Sequence, residues 1–188
     1  MTKVFGVWIY ALSSPSYQDF SFQDARLQLA LEFYKEGQQS LVEEKYRDAC
    51  DAFMTGVFSG RRVVEELQAS GANEESATAM SWLITSYMEC AKARMKLGDW
   101  QTARSDAWAA CMFSQNQNLD ALKCMLTVCE NTNDLFGQLS TLKAILPLLV
   151  ERAQAPDSPL PESHGLSLET VRERIDKVEI LLQQKFTS

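Results

Sequence analysis

Residues 97–110 read Leu97-Gly98-Asp99-Trp100-Gln101-Thr102-Ala103-Arg104-Ser105-Asp106-Ala107-Trp108-Ala109-Ala110. A glycine stands at a polar break and an aromatic residue follows two positions later. Alanines then recur at Ala103, Ala107 and Ala110, steps of four and three. Those steps trace one face of a helix. Small side chains on that face let a second helix approach closely, while the aromatic ring fills the gap at the turn. An earlier segment repeats the arrangement, with Tyr46 followed by Ala49 and then Phe53.

Working outward from this stretch, apolar residues recur at helical spacing from Phe22 onward, and the breaks carry turn or capping chemistry rather than strand signals. The spacing predicts helices over 23–42, 46–69, 74–96, 100–113, 119–129 and 135–152, and a last one beginning after Ser167. Gly71 suits a left-handed helix end, and Asn73 is placed to cap the helix that follows, with Glu74 and Glu75 favouring its positive end. Pro147 lies inside the sixth helix, where loss of an amide donor predicts a kink or a restart. Pro156, Pro159 and Pro161 mark 153–165 as a linker. In the last helix, Leu168, Val171, Ile175, Val178, Leu182 and Phe186 form one stripe suited to docking. The chain thus divides into an apolar arm (1–21), a helical domain (22–152), the linker and a C-terminal helix (166–188). The predicted fold is all-α: three antiparallel helix pairs and a closing helix.

The run from Leu97 to Ala103, with Ala107 and Ala110, resembles the second-helix signature of tetratricopeptide (TPR) repeats: a turn glycine, an aromatic, then small residues. Gly37 and Ala91, midway along the first helices of their pairs, meet the same need for close approach. Tyr46 and Trp100 are 54 positions apart, against a repeat of about 34, so the resemblance implies some 20 inserted residues that lengthen the second and third helices and the loop between them. That layout is similar to the three-repeat domains of immunophilins and related co-chaperones. In the third unit Leu135 stands 35 positions after Trp100, but Gln138 occupies the place of the expected alanine. The resemblance covers Phe22 to about Arg152.

The family implies a concave groove lined by the first helix of each pair. Several co-chaperone members use it to clamp a partner's terminal carboxylate with lysine, arginine and asparagine. The matching positions here are Tyr34, Gln38, Glu89, Asp120 and Cys124. Only Gln38 is chemically close, and two acidic residues would repel such a ligand. The same alignment directs Tyr34, Gln38, Leu41, Met88, Lys92, Met95, Lys96, Lys123 and Thr127 toward the groove. Their mixed apolar and basic character fits a protein or peptide segment with apolar anchors and some acidic residues. The alternative is that some are packing residues and the lysines are solvated.

Composition narrows the function classes. An apolar fraction of 46% and a charged fraction of 23% are those of a folded protein. A net charge of -7 disfavours phosphate backbones, and nucleic acid is not an expected partner. Cys50, Cys90, Cys111, Cys124 and Cys129 contain no CxxC pair; they read as reduced, buried small residues of a cytoplasmic protein, with no metal or cofactor implied. The single histidine, His164, sits in the Pro-rich stretch without a nucleophile beside it. Phosphate-loop, nucleophile-elbow, zinc-protease and dinucleotide fingerprints are absent from the sequence, so an enzyme is not expected. The arm carries Val4, Phe5, Trp8, Ile9 and Tyr10 within an apolar run of nine residues (4–12). It is too short for a membrane span of about 20 and lacks an A-x-A cleavage pattern. It reads as a strand-like segment packed on its own domain or on a partner, with a cleaved signal segment as the minor alternative. The second reading of function follows from it: a subunit or assembly factor docked through the arm and the convex face.

Overall fold

The computed structural model describes residues 22–154 and 166–187, all of the regular structure in them helical. The helices are α1 (Phe22–Val42), α2 (Tyr46–Ser70), α3 (Asn73–Lys96), α4 (Trp100–Phe113), α5 (Leu119–Asn131), α6 (Leu135–Gln154) and α7 (Leu168–Thr187). The arm with Val4, Phe5, Trp8, Ile9 and Tyr10, and most of the linker with His164, lie outside the described residues.

Local chemistry sets the boundaries. Gly71 has φ 77°, and its amide and that of Ala72 return to the carbonyls of Gln68 and Leu67. A left-handed residue here ends α2 by capping its last carbonyls, a conformation glycine adopts without a Cβ penalty. Helix α3 starts at once, with Ala72 rather than Asn73 at the cap position and no side-chain cap bond. Asp99 caps α4, accepting from the Thr102 amide at 3.2 Å and its hydroxyl at 2.9 Å. Asn118 caps α5, accepting from the Asp120 and Ala121 amides.

The stretch between Tyr46 and Trp100 is taken up almost wholly by two long helices. Helices α2 and α3 have 25 and 24 residues, against 14 and 13 for α4 and α5. The expected longer loop is not there, since only Gly71 and Ala72 separate α2 from α3. The restart expected at Pro147 is also absent: α6 runs through it to Gln154, two residues into the stretch read as linker. Pro147 is exposed, and on that side water can satisfy the carbonyl left without its amide.

Each helix packs on the next, and in addition α1 touches α3 and α3 touches α5. The main core draws on α2 to α7, including Val57, Val63, Leu83, Leu122, Leu142, Ile145 and Val171. Two smaller clusters use small side chains at helix crossings. One joins Ala49, Cys50, Phe53, Cys90 and Ala93; the other joins Ala91, Ala103, Ala107, Cys124 and Val128. Ala103, Ala107 and Ala110 are all 0% exposed, as their spacing predicts, and Trp100 is half-buried. In the third pair the close approach is made by Gly137, one position before Gln138. A Cβ there would lie 2.6 Å from the Cys129 sulfur, while Gln138 donates to the Cys129 carbonyl at 3.2 Å.

The closing helix buries Val171, Ile175, Val178 and Leu182. Phe186, read as the end of that stripe, is 72% exposed and instead lies beside exposed Phe136 of α6, ring centroids 5.9 Å apart. Arg174 pairs with Glu130, tying α7 to α5.

Candidate functional site

Because α3 contacts both α1 and α5, the matching faces of these alternate helices come together. Tyr34 of α1 stands within electrostatic reach of Glu89 and Lys92 of α3, and Lys92 within reach of Asp120 and Cys124 of α5. Four of the five positions aligned with the carboxylate clamp are therefore neighbours. The fifth, Gln38, joins through its side-chain amide, which donates to the Tyr34 hydroxyl at 3.0 Å.

The charges in this patch are matched internally. Lys92 pairs with Glu89 at 2.6 Å, and Lys123 stands 3.5 Å from Asp120. Burial alone would depress the Lys92 pKa, but the hydrogen bond and charge of Glu89 outweigh it and hold the ammonium above its ordinary value. Partial burial, reinforced by Glu89, raises the Tyr34 phenol against the opposing pull of Lys92 and Gln38. At neutral pH the tyrosine is a neutral donor or acceptor and Lys92 a paired cation. Neither is a strong attractor for an acidic ligand.

The remaining residues expected at the groove divide between surface and core. Lys96 and Thr127 are exposed, and the Thr127 hydroxyl donates to the Lys123 carbonyl at 2.9 Å. Leu41 packs on the cluster around Phe53, and Met95 on the one around Ala103. Met88 is 7% exposed within the main core, which leaves it little surface to offer a ligand. The Lys123 side chain is 18% exposed and its Nζ has no well-aligned hydrogen bond.

Two open hollows lie toward the other end of α3. The first, about 590 Å³, is lined by Tyr34, Ala77, Thr78, Ser81, Trp82 and Thr85. The second, about 480 Å³, shares Ala77 and Ser81 and continues over Met80, Ile84, Phe113 and Leu119 toward Asp120 and Arg152. Ala77, Ser81 and Thr85 recur at steps of four, so one strip of α3 is built of small side chains and leaves space beside the Tyr34 and Trp82 rings. Those rings meet edge to face at 5.8 Å. This strip was visible in the sequence as Ala77-x-x-x-Ser81-x-x-x-Thr85, but repeat alignment favours the larger side chains nearer Lys96. The Trp82 Nε1 is buried without a hydrogen-bond partner.

Among the described residues no group of three or more His, Cys, Asp or Glu side chains is arranged to hold a metal, and no helix is long and apolar enough to cross a membrane. The chain matches no protein-family model and no curated protein.

Proposed function

We infer that this chain is a non-catalytic, TPR-like interaction module that holds a segment of a partner protein along the face made by α1, α3 and α5. The observation that carries this reading is the pair of adjoining hollows over Ala77 and Ser81, on a face that three alternate helices share. Stacked helix pairs present such faces as extended binding surfaces. The first hollow has no charged lining residue, and the nearby lysines are already paired. The partner segment is accordingly anchored mainly by apolar side chains, with polar contacts at Tyr34, Thr78 and Thr85. Any acidic component of the partner is left to exposed Lys96 and to Arg152 at the end of the second hollow.

The test is affinity. Ligands for the folded chain are selected from a random-peptide display and measured against two variants. Ser81→Arg fills the hollows from an exposed position, and Gln101→Arg adds the same charge on the exposed side of α4. At least a tenfold loss with the first and little change with the second is expected. Equal affinities for both would remove the groove reading.

A second reading has an observation of its own. Phe136 and Phe186 form an exposed aromatic pair, and Trp108 and Met112 are 56% and 52% exposed on α4. Outward apolar groups of this size mark contact surfaces, which fits a subunit or assembly factor docked through its outer helices and its arm. A pull-down of the wild-type chain against one lacking residues 1–17 separates the readings. Loss of a stoichiometric complex favours docking, and retained binding that a groove peptide displaces favours the module.

A further inference from the structure

All five cysteines are buried, but two of them meet. Cys50 of α2 and Cys90 of α3 sit where the helices cross among Ala49, Phe53 and Ala93. Each thiol lies 3.9 Å from the backbone carbonyl oxygen of the other residue. A reciprocal contact of this kind requires both residues at the point of closest approach, with each side chain directed across the interface. Beside them Arg94, one turn beyond Cys90, stands 2.9 Å from Asp106 of α4. The carboxylate oxygen Oδ2 nevertheless accepts no well-aligned hydrogen bond, so the guanidinium is not fully engaged by it.

We propose that Cys50 and Cys90 form an oxidation site, at which a peroxide converts the two thiols to a disulfide that ties α2 to α3. The Cys50 thiolate attacks one peroxide oxygen, the O–O bond breaks, and hydroxide leaves and takes up the proton that Cys50 gave up. Cys50 is now a sulfenic acid. The Cys90 sulfur attacks the Cys50 sulfur, the S–O bond breaks, and water departs with the Cys90 proton. The two sulfurs supply two electrons, the peroxide is reduced, and two waters form.

The surroundings divide the roles. The hydrogen bond from Cys90 lowers the Cys50 pKa, burial opposes it, and the Arg94 charge adds to the lowering. The same hydrogen bond, with burial, raises Cys90, which keeps its proton until the second step. Burial pushes Cys111 up to about 11 and Cys124 up to about 12, and raises Cys129 as well. Those three remain thiols and serve as internal controls, since the thiolate is the reactive form. Cys50 is 6% exposed and Cys90 0%, so the site admits an oxidant the size of a peroxide rather than a bulky disulfide.

The experiment treats the whole folded chain with hydrogen peroxide, blocks remaining thiols by alkylation, and maps tryptic peptides without reduction. Cleavage after Arg47, Arg61, Arg62 and Lys92 separates Cys50 (residues 48–61) from Cys90 (residues 63–92). The expected product links these two peptides, is lost on reduction, and leaves Cys111, Cys124 and Cys129 alkylated. Cys90→Ser should stop at a Cys50 sulfenic acid trapped by dimedone, and Cys50→Ser should leave Cys90 a free thiol. Circular dichroism checks that both variants fold, and the wild-type map stands without them. Links to other cysteines, equal oxidation of all five, or a link that forms only in denaturant would overturn the assignment.

Discussion

Replacing Gly37 with alanine sets two effects of opposite sign against each other. Gly37 lies inside α1, where alanine is favoured over glycine by about 0.8–1 kcal/mol. A Cβ at this position, however, would stand 2.6, 2.7 and 2.9 Å from three ring atoms of Phe53, roughly 1 Å inside ordinary carbon contact at 3.5–4.0 Å. The ring has little room to yield. Phe53 is 0% exposed, packed on Ala49, Cys50, Cys90 and Ala93, with the Tyr34 ring 5.6 Å away. Overpacking a tight core costs about 1–3 kcal/mol, and three simultaneous overlaps put this site near the upper end. The net expectation is a loss of about 1–2 kcal/mol, or roughly 2–8 °C in Tm for a chain of this size. Urea denaturation followed by circular dichroism reads the change. The double variant Gly37→Ala with Phe53→Leu should be less destabilised than the sum of the two single changes, because the smaller side chain removes the overlap. A Gly37→Ala protein more stable by the bare helix-propensity increment would refute the close approach of α1 and α2.

Three further outcomes follow from other crossings and ends. Ala103→Leu should cost about 1–3 kcal/mol by overpacking against Ala91 and Val128, while Gln101→Leu on the exposed side should change stability little, both read by thermal denaturation. Removing Arg94 with alanine should destabilise by about 3 kcal/mol, since it leaves the buried Asp106 carboxylate alone. Asp106→Ala should cost less, because Arg94 is only partly buried, and Arg94→Met with Asp106→Leu should cost less than Arg94→Ala in urea melts. Asp99→Ala should lose about 0.5–2 kcal/mol at neutral pH. The hydrogen bonds from Thr102 hold the Asp99 carboxyl below its ordinary pKa, so this contribution is present above the unfolded value. It disappears as pH falls through the folded one, and paired denaturation curves from pH 7 to pH 2 should converge.

The helical boundaries were legible because each rests on local chemistry: Gly71 at a left-handed turn, Gly98-Asp99 before Trp100, and Asn118 before Leu119. The stripe Val171, Ile175, Val178 and Leu182 was legible for the same reason, because its spacing alone fixes one face. Features that depend on the partner helix were harder to read. Phe186 continues the spacing of that stripe, yet the ring it meets on α6 is that of exposed Phe136, and both are left outside. Pro147 reads as a break only if its lost amide is buried, and tertiary placement decides that. Met88 shows the same limit at the site, since it shares the groove alignment with Lys92 but is taken into the core. Asp106 falls on the alanine face of α4, yet its spacing did not mark it as an ionic contact, because that depends on Arg94 reaching across from α3.

Photo-cross-linking tests the central claim most directly: a display-selected peptide carrying a photoreactive side chain is bound to the folded chain, and the adducts are mapped by mass spectrometry. The account predicts adducts at Tyr34, Thr78, Ser81 and Thr85, on α1 and α3. Adducts confined to Trp108, Met112, Phe136 and Phe186 would contradict it and move recognition to the outer helices.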